Sequence, residues 1–122
     1  MSAEERSGAR RGRLPGEIAD LAPNLHVDES GASGSTAIVF LHGVGVSGRM
    51  WADHMANLSS YHCLAPDLPG SGRSRHRPWV SMAHTAALVA QLIRTRVPAQ
   101  RAHLVGLSLG GCIAHTLLRH HP

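Results

Sequence analysis

Apolar residues along this chain fall into two rhythms, and their alternation predicts its elements. Ala37-Ile-Val-Phe-Leu41 is an unbroken run rich in β-branched and aromatic residues, as expected for a central strand buried on both faces. Leu25 to Asp28 predicts a short strand ahead of it, and Glu29 to Ser35 reads as a Gly/Ser turn. Past Leu41, Gly43, Gly45 and Gly48 break the run. Met50, Trp51, His54, Met55 and Leu58 then recur at three- and four-residue steps, which predicts an amphipathic helix. Tyr61 to Ala65 predicts the next strand, which stops at Pro66-Asp67-Leu68-Pro69-Gly70, the start of a turn-rich loop running through Pro78. Ser81 predicts the N-cap of a helix with Met82, Ala86, Val89, Leu92, Ile93 and Val97 on one face, ended by Pro98. His103 to Leu107 predicts a strand and Leu109 to His120 a helix, with Cys112, Ile113, Thr116 and Leu117 as its buried stripe. Strands alternating with helices predict an α/β fold class with a mostly parallel sheet covered on both faces.

Composition changes this picture at one end. Within 122 residues, a length that suits one domain, Arg6, Arg10, Arg11 and Arg13 crowd the start among glycine and serine, with Pro15 and Pro23 following. Residues 1–23 therefore read as a disordered Arg/Gly-rich tail, and residues 24–122 as the folded part. The formal charge of +4 comes entirely from arginine over carboxylates, yet only four aromatics and no basic helix stripe accompany it, which argues against a nucleic-acid partner. Arg10-Arg11 precedes no apolar export segment, and no apolar run approaches the ~20 residues that span a bilayer, so neither export nor a membrane partner is expected. Cys63 and Cys112 have no metal-ligand spacing and read as small buried apolar residues, consistent with a cytoplasmic protein. His115, His120 and His121 lack a carboxylate or cysteine pattern to complete a metal site, and no metal is expected.

The chemistry-bearing segment is Gly106-Leu-Ser-Leu-Gly110, set between a predicted strand and a predicted helix. A serine on a sharp strand-to-helix turn stands its hydroxyl clear of the sheet, and flanking glycines leave room for the strained backbone, which makes Ser108 the candidate nucleophile. Three segments together resemble the α/β-hydrolase family: Leu41-His42-Gly43 after the first buried strand, Asp67-Leu-Pro-Gly-Ser-Gly-Arg-Ser74 after the next, and Val105-Gly-Leu-Ser-Leu-Gly-Gly111 at the elbow. The resemblance covers about residues 25–122. It implies the N-terminal part of an α/β-hydrolase sheet with flanking helices, truncated after the elbow helix. It further implies a serine hydrolase acting on a carboxylic ester or similar small acyl substrate and needing no cofactor. By the same resemblance the oxyanion hole would be the N–H groups of Val44 and Leu109. His42 and Gly43 would support the oxyanion loop, Gly106 and Gly110 the elbow, and Asp67 would order its own loop rather than act as triad acid.

The triad built on this elbow runs serine, acid, histidine in chain order, yet none of the fourteen residues after Ser108 is Asp or Glu. His115 lies seven residues along the helix, about 10 Å down its axis and out of reach of the hydroxyl. Impaired catalysis is therefore expected. The family's strand order also implies an open edge at residues 103–107, available for self-association or for a complementing chain. Two other readings stand beside the hydrolase. One is a catalytically dead remnant or interaction module. The other is a dinucleotide-binding Rossmann protein, since Gly43-Val-Gly45-Val-Ser-Gly48 matches that fingerprint with Asp67 about 20 residues on. The Rossmann reading leaves the elbow and the Asp67 loop unexplained, and the absence of any lysine excludes a P-loop.

Overall fold

The computed structural model describes residues 25–122; the tail expected over residues 1–23 lies outside the described residues. The chain runs β1 (Val27–Ser30), β2 (Ala37–Leu41), a 3₁₀ turn (Gly48–Trp51), α1 (Ala52–Ala56), β3 (His62–Pro66), a second 3₁₀ turn (Gly72–Ser74), α2 (Met82–Arg96), β4 (His103–Gly106) and α3 (Leu109–His120). The four strands form one sheet in the order β1-β3-β2-β4. β2 pairs parallel with β3 and with β4, Leu41 opposite Gly106, while β1 pairs antiparallel with β3. The chain passes from β2 to β3 through the helical segment 48–56 and from β3 to β4, on the far side of β2, through α2.

Alternation along β2 explains why every residue of that strand is buried. Ala37, Val39 and Leu41, with Leu64 of β3, pack against Ala86, Val89 and Ala90 of α2 and Ile113 and Leu117 of α3. Ile38 and Phe40, with Cys63 and Ala65, face the other way onto Trp51 and Met55. Phe40 and Trp51 are tilted against each other at 5.2 Å between ring centroids. A strand covered on both faces cannot alternate with polar residues, because each buried aliphatic side chain contributes about 1.5–3 kcal/mol.

α2 begins where the sequence placed it: Ser81 Oγ accepts the N–H of His84 at 3.0 Å, and Arg94 and Arg96 sit in the last turn, where the helix dipole favours them. Three expectations are corrected. β1 extends through Glu29 and Ser30, where a turn is expected, because its charged residues lie at a sheet edge and find partners on β3 and α2: His62 Nε2 meets Glu29 Oε2 at 2.5 Å and Arg96 Nη1 donates to Glu29 Oε1 at 2.7 Å. The helix read over residues 50–58 is a 3₁₀ turn followed by only five α-helical residues. In α3 the buried positions are Gly110, Ile113 and Leu117; Cys112 is exposed and Thr116 only half-buried. Cys112 and Thr116 each lie one residue, about 100° of helix rotation, from that stripe. No helix among the described residues is long and apolar enough to cross a membrane.

Candidate active site

In open α/β sheets ligands bind outside the carboxyl ends of the parallel strands. Three loops leave that end here: residues 42–47 after β2, 67–81 after β3, and 107–108 after β4.

The last is the tightest. Leu107 N–H donates to Leu41 O at 3.0 Å, carrying the β2–β4 ladder one residue beyond the strand. Cys112 N–H already donates to Ser108 O at 3.2 Å and Gly111 N–H to the same carbonyl at 2.9 Å, so α3 starts at once. Ser108 alone makes the reversal, at φ 56° and ψ −114°. An L-residue holds such a backbone only where its surroundings impose it, at a cost of order 1–3 kcal/mol. The imposition comes from close packing at two glycines. A Cβ at Gly106 would lie 2.5 Å from the Gly110 carbonyl, and one at Gly110 would run into the backbone carbonyls of Leu41 and His42. Gly111 has ordinary van der Waals room and plays no such part. Ser108 is exposed and its side chain caps nothing.

Against this turn rests the loop after β2. A Cβ at Gly43 would stand 3.5 Å from Ser108 Cβ and 3.3 Å from Leu107 O, so the two loops lie in close contact. Val44 is 79 % exposed and Leu109 half-buried. At the start of α3 the N–H groups of Gly110 and Gly111 are taken by Leu107 O and Ser108 O, whereas Leu109, the first residue of the helix, has no acceptor one turn back within it, and the positive end of the helix dipole lies there. This end of the sheet therefore presents an accessible hydroxyl beside a helix N-terminus.

Two buried polar residues hold the loops in place. His42 is fully buried, with Nδ1 2.7 Å from Gly43 O and Nε2 3.0 Å from the Leu68 nitrogen. Since the carbonyl can only accept and the amide only donate, the ring is the neutral Nδ1–H tautomer, with both nitrogens engaged. Asp67, also buried, accepts Gly48 N–H on one carboxylate oxygen at 2.7 Å and Arg73 N–H on the other at 2.8 Å. Both residues tie one loop to the next. The glycine pattern that matched a dinucleotide fingerprint serves the same purpose: Gly48 lies where a Cβ would meet Ala65 O at 2.6 Å, and its N–H is taken by the aspartate that the fingerprint would reserve for a ribose. Sequence reasoning missed Leu68 as the partner of His42 and Gly72, whose φ of +50° carries the chain around Asp67, because neither signal is local.

The remaining candidates stand apart from this site. Cys63 is buried, and burial pushes its thiol up from the ordinary value, away from a nucleophilic thiolate. No cluster of three metal-ligating side chains occurs among the described residues.

The family model for the alpha/beta hydrolase fold matches residues 36–122. Among curated proteins, the chain is 33% identical over 90 residues to a pimeloyl-[acyl-carrier protein] methyl ester esterase of Proteus mirabilis, covering 73% of this chain and 33% of that protein. It is 36% identical over 100 residues to the lipase LipV of Mycobacterium tuberculosis, covering 81% and 38%. Among solved structures, a thermophilic esterase from Thermogutta terrifontis superposes with a TM-score of 0.72 at 27% identity, over 80% of this chain and 36% of that one. The chain thus spans about a third of the length of the curated relatives it matches. The strand-turn-helix geometry at Ser108 and the match that contains it agree, and the chain belongs to the alpha/beta hydrolase fold family.

Proposed function

We propose that this chain carries the nucleophile side of a serine hydrolase site, acting on a carboxylic ester or related small acyl compound in the cytoplasm. The observation that carries the reading is the strained, exposed Ser108 at φ 56°, in the two-residue turn between β4 and α3. In the proposed reaction Ser108 Oγ attacks the acyl carbon and loses its proton to a base. The carbonyl oxygen becomes an oxyanion facing the N–H groups of Leu109 and Val44, in a field favoured by the α3 dipole. Collapse breaks the bond to the leaving alcohol, which takes up a proton, and leaves an acyl-enzyme that water hydrolyses. The esterase and lipase names of two relatives support an ester substrate. The mechanism asks for no cofactor.

The base is the weak point. Both ring nitrogens of His42 are committed to Gly43 and Leu68, and no histidine hydrogen-bonds Ser108 among the described residues. Turnover by this chain is therefore expected to be impaired, near the residual ~10³ to 10⁴-fold over water that an oxyanion hole and binding alone supply. A second reading, a binding module without turnover, draws support from the open edge of β4, where a second copy or a complementing chain would add.

A fluorophosphonate probe on the purified chain, read by intact mass beside Ser108→Ala, tests the first reading. An adduct on the native chain alone supports it. No adduct on a chain shown by circular dichroism to be folded, or equal adducts on both, would overturn it.

A further inference from the structure

His42 holds its own neighbour, and the effect falls one residue further on. Its buried ring donates from Nδ1 to Gly43 O at 2.7 Å. That carbonyl shares one planar trans peptide unit with the Val44 N–H, and within such a unit C=O and N–H point in opposite directions. Fixing the carbonyl against the ring therefore fixes the direction of the Val44 N–H.

The ring is itself held from the β3 side of the sheet. Its Nε2 accepts the N–H of Leu68 at 3.0 Å, while Asp67, the residue before, takes the Gly48 N–H at 2.7 Å. Two consecutive residues of the loop after β3 thus hold both ends of segment 43–48. Ser108 follows β4, on the opposite side of β2, where a Cβ at Gly43 would stand 3.5 Å from its Cβ. His42, Asp67 and Leu68 are each at most 2 % exposed, so the arrangement belongs to the interior and not to any open face of the sheet. Both bonds of the ring require the neutral form with its proton on Nδ1.

We infer that His42 is a positioning residue for acylation. Its Nδ1–H sets the plane of the Gly43–Val44 peptide and so aims the Val44 N–H, while its Nε2 anchors the ring on the loop after β3. The inference rests on the reading of Ser108 as nucleophile and of Val44 N–H as an oxyanion donor. Aim belongs to one ring nitrogen and anchorage to the other, so the two bonds have separable effects.

Two conservative variants separate them. The side-chain amide of His42→Asn replaces Nδ1–H as donor to Gly43 O and falls short of Leu68, whereas that of His42→Gln replaces Nε2 as acceptor for Leu68 and loses the donor. The rate at which a fluorophosphonate labels Ser108 is expected to fall about 10²-fold in His42→Gln, as for loss of one oxyanion donor, and to stay within about tenfold of native in His42→Asn. The residual dipolar coupling of the Val44 N–H, read by NMR on nitrogen-15-labelled chain, should change in His42→Gln and persist in His42→Asn. Equal slowing in both variants, or an unslowed His42→Gln, would leave His42 a core residue with no part in aiming the donor. A native chain that does not label counts against the nucleophile reading instead; the dipolar coupling then decides the aim, and an unchanged value in His42→Gln overturns it. If both variants unfold, the native imidazole decides: Nδ1 protonated and Nε2 bare, with a scalar coupling to the Leu68 amide, supports the inference, and a proton on Nε2 or no coupling overturns it.

Discussion

The two edges of this sheet are finished in opposite ways. β1, Val-Asp-Glu-Ser, is laced to its surroundings by side chains: Glu29 joins buried His62 on β3 and Arg96 on α2, while Asp28 meets His26, which in turn contacts Arg73. Among the described residues β4, His-Leu-Val-Gly, has no such lacing and is positioned by its ladder to β2 and by glycine contacts that bring α3 close to β2 and β4. Charged, side-chain-bonded edges resist further pairing, whereas bare edges invite it. The candidate nucleophile sits at the end of the bare edge, so its geometry depends on close backbone approach rather than on polar cross-links.

The most damaging test of this contrast is Gly110→Ala. The added methyl meets the backbone of Leu41 and His42, neither of which can swing aside, and a loss of about 3 kcal/mol or more is expected in urea unfolding, together with loss of probe labelling at Ser108. A near-neutral result would mean that α3 stands further from β2 in solution. On the other edge, Glu29→Ala removes the acceptor of both His62 and Arg96. Because Glu29 is a third exposed, about 1 kcal/mol is expected, and labelling should be unchanged. Loss of labelling there would erase the distinction between the edges. Ser108→Gly should move the other way, gaining about 1 kcal/mol by releasing the positive-φ strain while abolishing the adduct. The smallest effect is expected at Val105→Ala, within about 0.5 kcal/mol, since the side chain is already 38 % exposed. A larger loss, measured by the same unfolding curve, would show the edge to be covered in solution.

How far the sequence could be read follows the same division. β2, α2 with its Ser81 cap, and α3 were legible because their signals are local: a buried run, a cap three residues from its acceptor's donor, a glycine-serine turn. The end of β1 is not legible because Glu29 and Ser30 look like turn residues until the strand 33 positions from Glu29 supplies His62. The Ser108 turn was legible as a motif, but the atoms that force it, the carbonyls of Leu41 and His42, lie more than 60 residues upstream. Cys112 was misread because two apolar-looking positions in a helix can differ by a single step of rotation and end on opposite sides of the solvent boundary.

Asp67 has a consequence for how this sequence can change. Its carboxylate grips two main-chain N–H groups rather than two side chains. Every amino acid but proline offers that N–H, so the clamp places almost no demand on which side chain stands at position 73, while at position 67 it demands a carboxylate of one particular length. In a library of all single substitutions, position 73 should accept nearly everything and reject proline. Position 67 should reject even glutamate, whose extra methylene would carry the two oxygens past both donors.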